Sequence, residues 1–261
     1  MPRLTRGVSF PTVAALGSEA QLADAAAAGG AEKRRYVRRI FSEIAPRYDF
    51  LNHLLSANID RAWRRRAIRE LAWERHPDGV YLDLCAGTLD VAVELSRQPG
   101  FVGTVVGADF AEPMLRAGNG KAPRHTVVPV VADALQLPLA DGVVRGVVVA
   151  FGIRNVADLD AGLAETFRVL APGARFVILE FSRPRSPLVR ALYHAYFNHV
   201  LPLIGGLVSG QRTAYRYLPR SVAHFPAESQ LARRMESAGF RRVRWYALTH
   251  GIAAVHVGER A

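Results

Sequence analysis

The chain has 261 residues, half of them hydrophobic, 22% charged, and one cysteine. That length can bury a large core, and the composition excludes a disordered chain, a disulfide framework and a cysteine-cluster metal site. The net charge of +11 is concentrated: residues 33–70 hold 11 basic and 4 acidic side chains, and residues 181–220 hold 6 basic and none acidic.

Residues 1–31 are Ala/Gly-rich without a helical or strand period and are expected to form a disordered or weakly ordered extension. Tyr36, Val37, Ile40, Phe41 and Ile44 recur at helical spacing, and Pro46 stops the run. A second helix is expected from Ile59 to Trp73. Trp63, Ala67, Ile68 and Leu71 form its apolar side, and Arg61, Arg64, Arg65 and Arg69 a solvated or head-group-facing side.

From Val80 the pattern becomes strand–helix alternation. Strands are expected at Val80–Cys85, Thr104–Ala108, Thr126–Val131, Val143–Ala150 and Arg175–Phe181. Helices are expected at Leu89–Arg97, from Glu112 to Gly118, and at Leu159–Leu170. A helix at Glu228–Ala238 and strands at Val243–Leu248 and Ile252–Val257, turning at Thr249–Gly251, complete the chain. Runs apolar on both faces suit a buried parallel sheet. The expected class is α/β: an open, mostly parallel Rossmann-like sheet with a C-terminal antiparallel hairpin, N-terminal helices and a helical insertion after strand 5. No apolar run is long enough for a spanning helix.

Ligands of such sheets sit beyond the carboxyl ends of the strands. The first of those ends reads Asp83-Leu-Cys-Ala-Gly-Thr-Leu-Asp90. One glycine and two carboxylates disfavour a pyrophosphate, and no phosphate-binding lysine motif is present. A cationic, phosphate-free ligand such as S-adenosylmethionine fits better. Gly87 permits the turn and a close approach, and Asp83 or Asp90 balances the positive charge. Asp109 can accept both ribose hydroxyls, and Asp133-Ala134 can read the adenine edge. A strand-end turn for Asp109 and a helix cap for Asp133 are the plainer alternatives. Cys85 reads as a small buried strand residue.

These residues carry a resemblance. Asp83–Asp90 resembles the cofactor loop of class I S-adenosylmethionine-dependent methyltransferases. Phe41–Asn52 (FSEIAPRYDFLN), Phe151-Gly-Ile-Arg-Asn155 followed by Asp158, and Arg168–Pro184 (RVLAPGARFVILEFSRP) resemble the ubiquinone/menaquinone biosynthesis C-methyltransferases. His199-Val-Leu-Pro202 with Gly205, Tyr215-Arg-Tyr-Leu218 and Gly251–His256 match as well, so the likeness runs from about residue 36 to 258. Leu89 replaces the usual last glycine of the loop, and Ala150 the usual serine before Phe-Gly.

The resemblance implies cofactor contacts at Thr88, Asp109, Asp133 and Ala134. It implies methylation of a ring carbon of a polyprenyl quinol, either naphthoquinol or benzoquinol. Candidate catalytic residues are Arg154 and Asn155, which would hold the quinolate, with Tyr48 against the ring and Asp49 or a water as proton acceptor. His199 is a second candidate base. No metal is implied. Residues 32–261 are expected to form one domain, with 32–75 a substrate cap and 184–220 a lid or membrane-facing insertion. The expected partners are the quinol and, peripherally, an anionic membrane surface on the cytoplasmic side, but no nucleic acid; a homo-oligomer stays open. An RNA-directed methyltransferase and a non-catalytic cofactor-binding scaffold are the competing readings.

Overall fold

The structure, a computed structural model, describes residues 30–49, 56, 58–196 and 212–261. The expected extension up to residue 29, His199 and the middle of the 184–220 insertion lie outside the described residues. Seven strands form one sheet in the order β3-β2-β1-β4-β5-β7-β6. They are β1 (Val80–Leu84), β2 (Thr104–Asp109), β3 (Val127–Val131), β4 (Val144–Ala150), β5 (Leu170–Phe181), β6 (Arg241–Leu248) and β7 (Ala253–Glu259). The pairs among β1 to β5 are parallel, and β7 runs antiparallel between β5 and β6.

The described helices are α1 (Gly30–Ile44), α2 (Ile59–Glu70), α3 (Asp90–Ser96), α4 (Glu112–Gly118), α5 (Leu159–Val169), α6 (Pro187–Ala195), α7 (Arg212–His224) and α8 (Glu228–Ser237). Two hydrophobic layers sandwich the sheet. Trp63, Ala67, Ile68 and Leu71 of α2 pack with Val91–Leu95 of α3 on one face. Leu163 and Val169 of α5 pack with Leu231 and Met235 of α8 on the other. In β4, Val148 joins the first layer while Val147 and Val149 join the second, as burial on both faces requires.

The stripe on α1 has a separate destination. Tyr36, Val37, Ile40 and Ile44 pack with Tyr193 of α6 and Tyr217 of α7. Phe110, just past β2, and Phe181, at the end of β5, pack against this cluster. Helix α1 is thereby carried over the carboxyl ends of the strands, and Pro46 starts the short 3-10 turn Ala45–Arg47 that ends it.

Two expectations need correction. Strand β5 begins at Leu170 rather than Arg175, passing through Pro172-Gly173 with a register irregularity against β4. Gly173 N–H donates to Arg260 O at 2.7 Å and Arg260 N–H to Ala174 O at 2.9 Å, so the antiparallel neighbour supplies the pairing that the Pro-Gly pair seemed to forbid. On α2, Arg64 is not part of a solvated face; its side chain is 11% exposed and turned toward the β1 loop.

Candidate active site

The turn after β1 is strained into a cup. Cys85, Gly87 and Leu89 adopt φ of 55°, 53° and 68°, a region that side chains oppose. A Cβ on Gly87 would stand 3.3 Å from Met114 Cε, so bare backbone faces the cleft there. Leu89 keeps the backbone conformation that a glycine would adopt without strain. Its side chain fills a slot against Gly107 and Gly118; a Cβ on Gly107 would come within 2.3 Å of Leu89 Cδ2. Opposite, Phe151 after β4 also has positive φ (59°), and Gly152 lies so close to Cys85 that a Cβ would meet Cys85 Cβ at 2.3 Å. Strain at two adjacent strand ends, held by packing, is usual for a ligand site.

Between these ends lies an open cleft with about 680 Å³ of empty space, part of it continuous with solvent. Gly87, Asp109, Asp133, Ala134, Ala150 and Asn155 line it from the strand ends, and Arg34, Val37, Phe41 and Tyr48 roof it.

The acidic strand ends divide the work. Asp109 accepts Gly87 N–H at 2.9 Å and Ala111 N–H at 2.8 Å, one on each oxygen. Each oxygen keeps a lone pair for a diol. Burial pushes the Asp109 carboxyl above its usual range, against the pull of those amides. Asp133 caps its own turn by accepting Leu135 N–H at 3.0 Å, and its other oxygen pairs with Arg34 of the roof at 2.7 Å. Asp83 is buried behind the cleft, where it accepts Ala92 N–H at 3.0 Å in the first turn of α3. Burial pushes its pKa up to about 7, opposed by the Ala92 amide and the nearby Arg64 charge. Asp83 therefore fastens loop to helix and does not line the cleft; Asp90, on the rim, is bound by Arg64 at 2.8 Å and Lys121 at 2.6 Å. Cys85 lines the cleft with its thiol pushed up by burial, hence unreactive.

Lys121 clamps the N-terminal segment onto the loop. It bonds Asp49 at 2.6 Å as well as Asp90, while Thr88 Oγ1 donates to the other Asp49 oxygen. Asp49 is thus brought to the cofactor loop with both oxygens engaged. Tyr48 reaches the cleft beside it and packs edge-on against Phe41, 5.9 Å between ring centres. Lys121 and Arg64 have no sequence signal of their own; a lysine in an arginine-dominated chain is the nearest hint.

The 3-10 turn Ile153–Asn155 follows β4. Asn155 lines the cleft, and its Oδ1 is buried without a hydrogen-bond partner among the described residues. Arg154 turns to the neighbouring wall. Its guanidinium pairs with Glu180 at 2.7 Å, donates to Phe151 O, and contacts Ser221 Oγ at 3.3 Å. Glu180 also accepts Phe181 N–H at 2.9 Å, and burial pushes its carboxyl up against the pull of Arg154. Asp158 and Asp160, the surface partners conceivable for Arg154, are used elsewhere: one caps α5, the other pairs with Arg234. Phe151 and Phe181 pack with their rings tilted, 4.7 Å between centres, and Trp63 lies beside them, an aromatic wall next to the polar turn.

A mostly parallel sheet whose last strand inserts in reverse beside β5, with an acidic cleft at its switch point, defines a class I S-adenosylmethionine-dependent methyltransferase. The residues fit that cofactor: an unhindered turn at Gly87 and a carboxylate with free lone pairs at Asp109, with no phosphate-binding group between them. The model of the ubiE/COQ5 methyltransferase family matches residues 29–260, and the chain belongs to that family. It is 52% identical to a demethylmenaquinone methyltransferase of Thermus thermophilus, over 85% of this chain and all of the relative. It is 46% identical to the ubiquinone/menaquinone biosynthesis C-methyltransferase UbiE of Geobacter sulfurreducens, over 88% of this chain and 90% of the relative. Among solved structures, a S-adenosylmethionine-dependent methyltransferase from Thermotoga maritima superposes with a TM-score of 0.62 at 18% identity, covering 85% of this chain and 99% of that one.

Proposed function

We propose that the chain methylates a ring carbon of a polyprenyl quinol. The observation that carries this reading is the Arg154-Asn155 turn: a buried amide oxygen on the cleft without a hydrogen-bond partner among the described residues, with a charged guanidinium behind it and an aromatic wall alongside. The names of the relatives support the substrate class, and that of the Thermus thermophilus protein favours a demethylated naphthoquinol.

S-adenosylmethionine, when bound, supplies an activated methyl group on a sulfonium. Asp109 would hold the ribose diol, Asp133 and Ala134 the adenine edge, and the carboxylate of Asp90, shared with Arg64 and Lys121, would partly offset the positive charge. Gly87 and Thr88 shape the turn, while Asp83 behind it and Asp49 above it keep it in place. The quinol ring lies between Tyr48 and the Phe151 side of the cleft. Asn155 Oδ1 accepts the hydroxyl proton in a hydrogen bond and orients it. As the proton leaves to water, the Arg154 charge favours the resulting oxyanion, whose electron pair moves into the ring. The methyl group would pass to that ring carbon, the donor's S–C bond breaking as the C–C bond forms, and the ring proton then moves to the oxygen, so that one proton in all is released and the quinol is restored. Holding the two centres in line supplies most of the advantage, about 7–11 kcal/mol for well-oriented reactants.

The expected lipid contact is through α6. Leu188 and Leu192, one turn apart, are exposed, and Arg183, Arg185 and Arg190 are exposed around them. No described helix is long and apolar enough to cross a membrane. Incubation with methyl-labelled donor and a short-chain demethylated quinol tests the reading. It requires label on a ring carbon; label on oxygen, or none, contradicts it.

A further inference from the structure

Helix α7 reaches the Arg154 turn from the insertion that follows β5. Tyr217 on its inner side packs edge-on against Tyr36 of α1, 5.6 Å between ring centres, and joins Tyr193 of α6 in the same buried cluster. One turn further along α7, Ser221 meets Arg154, and both side chains are buried. The helix fixes the direction of that contact. Ser221 Oγ donates to Leu218 O, one turn back, at 2.9 Å. Its hydrogen is thereby committed within α7, and its lone pairs are left to accept. Arg154 Nε–H donates to that oxygen at 3.3 Å.

This bond does what the other two on the guanidinium do not. Arg154 Nη1 donates both to Glu180 Oε1, at 2.7 Å, and to Phe151 O. Those two bonds act at one corner of the group, and hydrogen bonds tolerate some bending about such a corner. The Ser221 bond acts at Nε, across Cζ from that corner, and resists the tilt. Phe181 covers one side of the group, with Cζ 5.5 Å from its ring centre. Nη2 makes no hydrogen bond with any described residue. The tilt that Ser221 resists therefore decides where this remaining donor edge points.

We propose that Ser221 is a positioning residue of the methyl transfer: by holding Arg154 Nε it aims the guanidinium whose charge favours the quinol oxyanion. The proposal rests on the role given to Arg154 above. It makes α7 a working part of the site, because the hydroxyl that completes the setting of Arg154 is supplied by the insertion and not by the sheet. Electrostatic stabilisation of a developing charge depends on donors held in place beforehand, so a loosened guanidinium costs rate rather than donor binding.

Methylation of a short-chain demethylated quinol by wild type, Ser221→Ala, Ser221→Thr and Arg154→Gln tests it on the full chain, with S-adenosylmethionine affinity measured on the same samples to report folding. NMR with isotope-labelled arginine follows the Arg154 Nε–H signal, identified by its loss in Arg154→Gln. Ser221→Ala should lower kcat about tenfold, the scale of one hydrogen bond to a charged group, with donor KM and affinity unchanged. Ser221→Thr, which keeps the hydroxyl, should recover most of that loss, and the Arg154 Nε–H should exchange with water faster in Ser221→Ala than in wild type. A role in packing alone predicts the opposite order, since alanine fits the buried space more easily than threonine. Wild-type kcat in Ser221→Ala, an equal loss in the alanine and threonine variants, or unchanged Nε–H exchange in Ser221→Ala overturns the proposal alone, provided Arg154→Gln is impaired. Full turnover in Arg154→Gln, or no methylation by wild type, overturns the functional reading and the proposal with it.

Discussion

Arg154 Nη1 lies 2.7 Å from Glu180 Oε1 with both side chains buried, a pairing 26 residues apart in sequence. The ends of β4 and β5 bring the two together. Glu180 fixes the guanidinium that the proposed mechanism uses, and so acts through Arg154 rather than on substrate. Glu180→Gln should lower kcat by about 10- to 100-fold while S-adenosylmethionine affinity stays unchanged. Losing one partner of a buried pair should also cost about 3–5 kcal/mol of stability. The discriminating readout is pH. Burial raises the Glu180 carboxyl, so wild-type kcat should fall as acidification protonates it, and Gln should erase that acid limb while Glu180→Asp partly restores turnover.

Lys121 ties Asp49 to Asp90 and so closes the N-terminal segment over the cofactor loop. Lys121→Met should raise KM for S-adenosylmethionine about tenfold with little change in kcat, because the clamp holds the binding cup rather than the reacting oxygen. Initial-rate kinetics at several donor concentrations check this.

Asp83 gives the fold a definite pH signature. Its folded pKa of about 7 stands above the ordinary aspartate value. The folded state therefore binds the proton more tightly than the unfolded chain. The stabilisation is complete at low pH and is lost as pH rises from about 4 to 7, by at most about 1.4 kcal/mol per pH unit for one group. Asp109 and Glu180, also raised by burial, act in the same direction. Asp83→Asn should flatten part of that slope, making the variant relatively more stable at pH 8 than at pH 5. Denaturant unfolding at both pH values measures it.

Leu89 invites a test of strain against packing. Leu89→Ala empties a buried slot at about 2–4 kcal/mol while keeping the unfavourable positive φ. Leu89→Gly empties the same slot but relaxes the backbone by about 1 kcal/mol. The glycine variant should therefore be the more stable of the two, the reverse of their usual order inside a helix. Equilibrium denaturation of the pair decides it.

The strands can be read from the sequence because β1 to β4 are short, mostly apolar runs, β1 and β4 buried on both faces, and their carboxyl ends lie at or just before Gly87, Asp109 and Asp133. The start of β5 cannot, since Pro172-Gly173 looks like a stop until Arg260 of the neighbouring edge completes the pairing. The loop's glycine and acids are legible because they lie at their own strand ends. Lys121, Arg64 and Glu180 are not, because each acquires meaning only from a distant partner: Lys121 meets Asp49 across 72 residues, and Arg64 meets Asp90 across 26. A basic helix face therefore reads as solvated until one of its arginines proves to hold the loop. Asp49, expected as a proton acceptor alternative to water, has both its oxygens engaged by Thr88 and Lys121, partners 39 and 72 residues away.

The central claim is that acidic strand ends shape a cleft for a positively charged donor lacking phosphate. Calorimetric titration of wild type and Asp109→Ala with S-adenosylmethionine and with NAD measures this directly. Saturable heat with S-adenosylmethionine, weakened about 10- to 100-fold in Asp109→Ala and absent with NAD, is the predicted result. Tight NAD uptake by wild type, with no heat from S-adenosylmethionine, would contradict it.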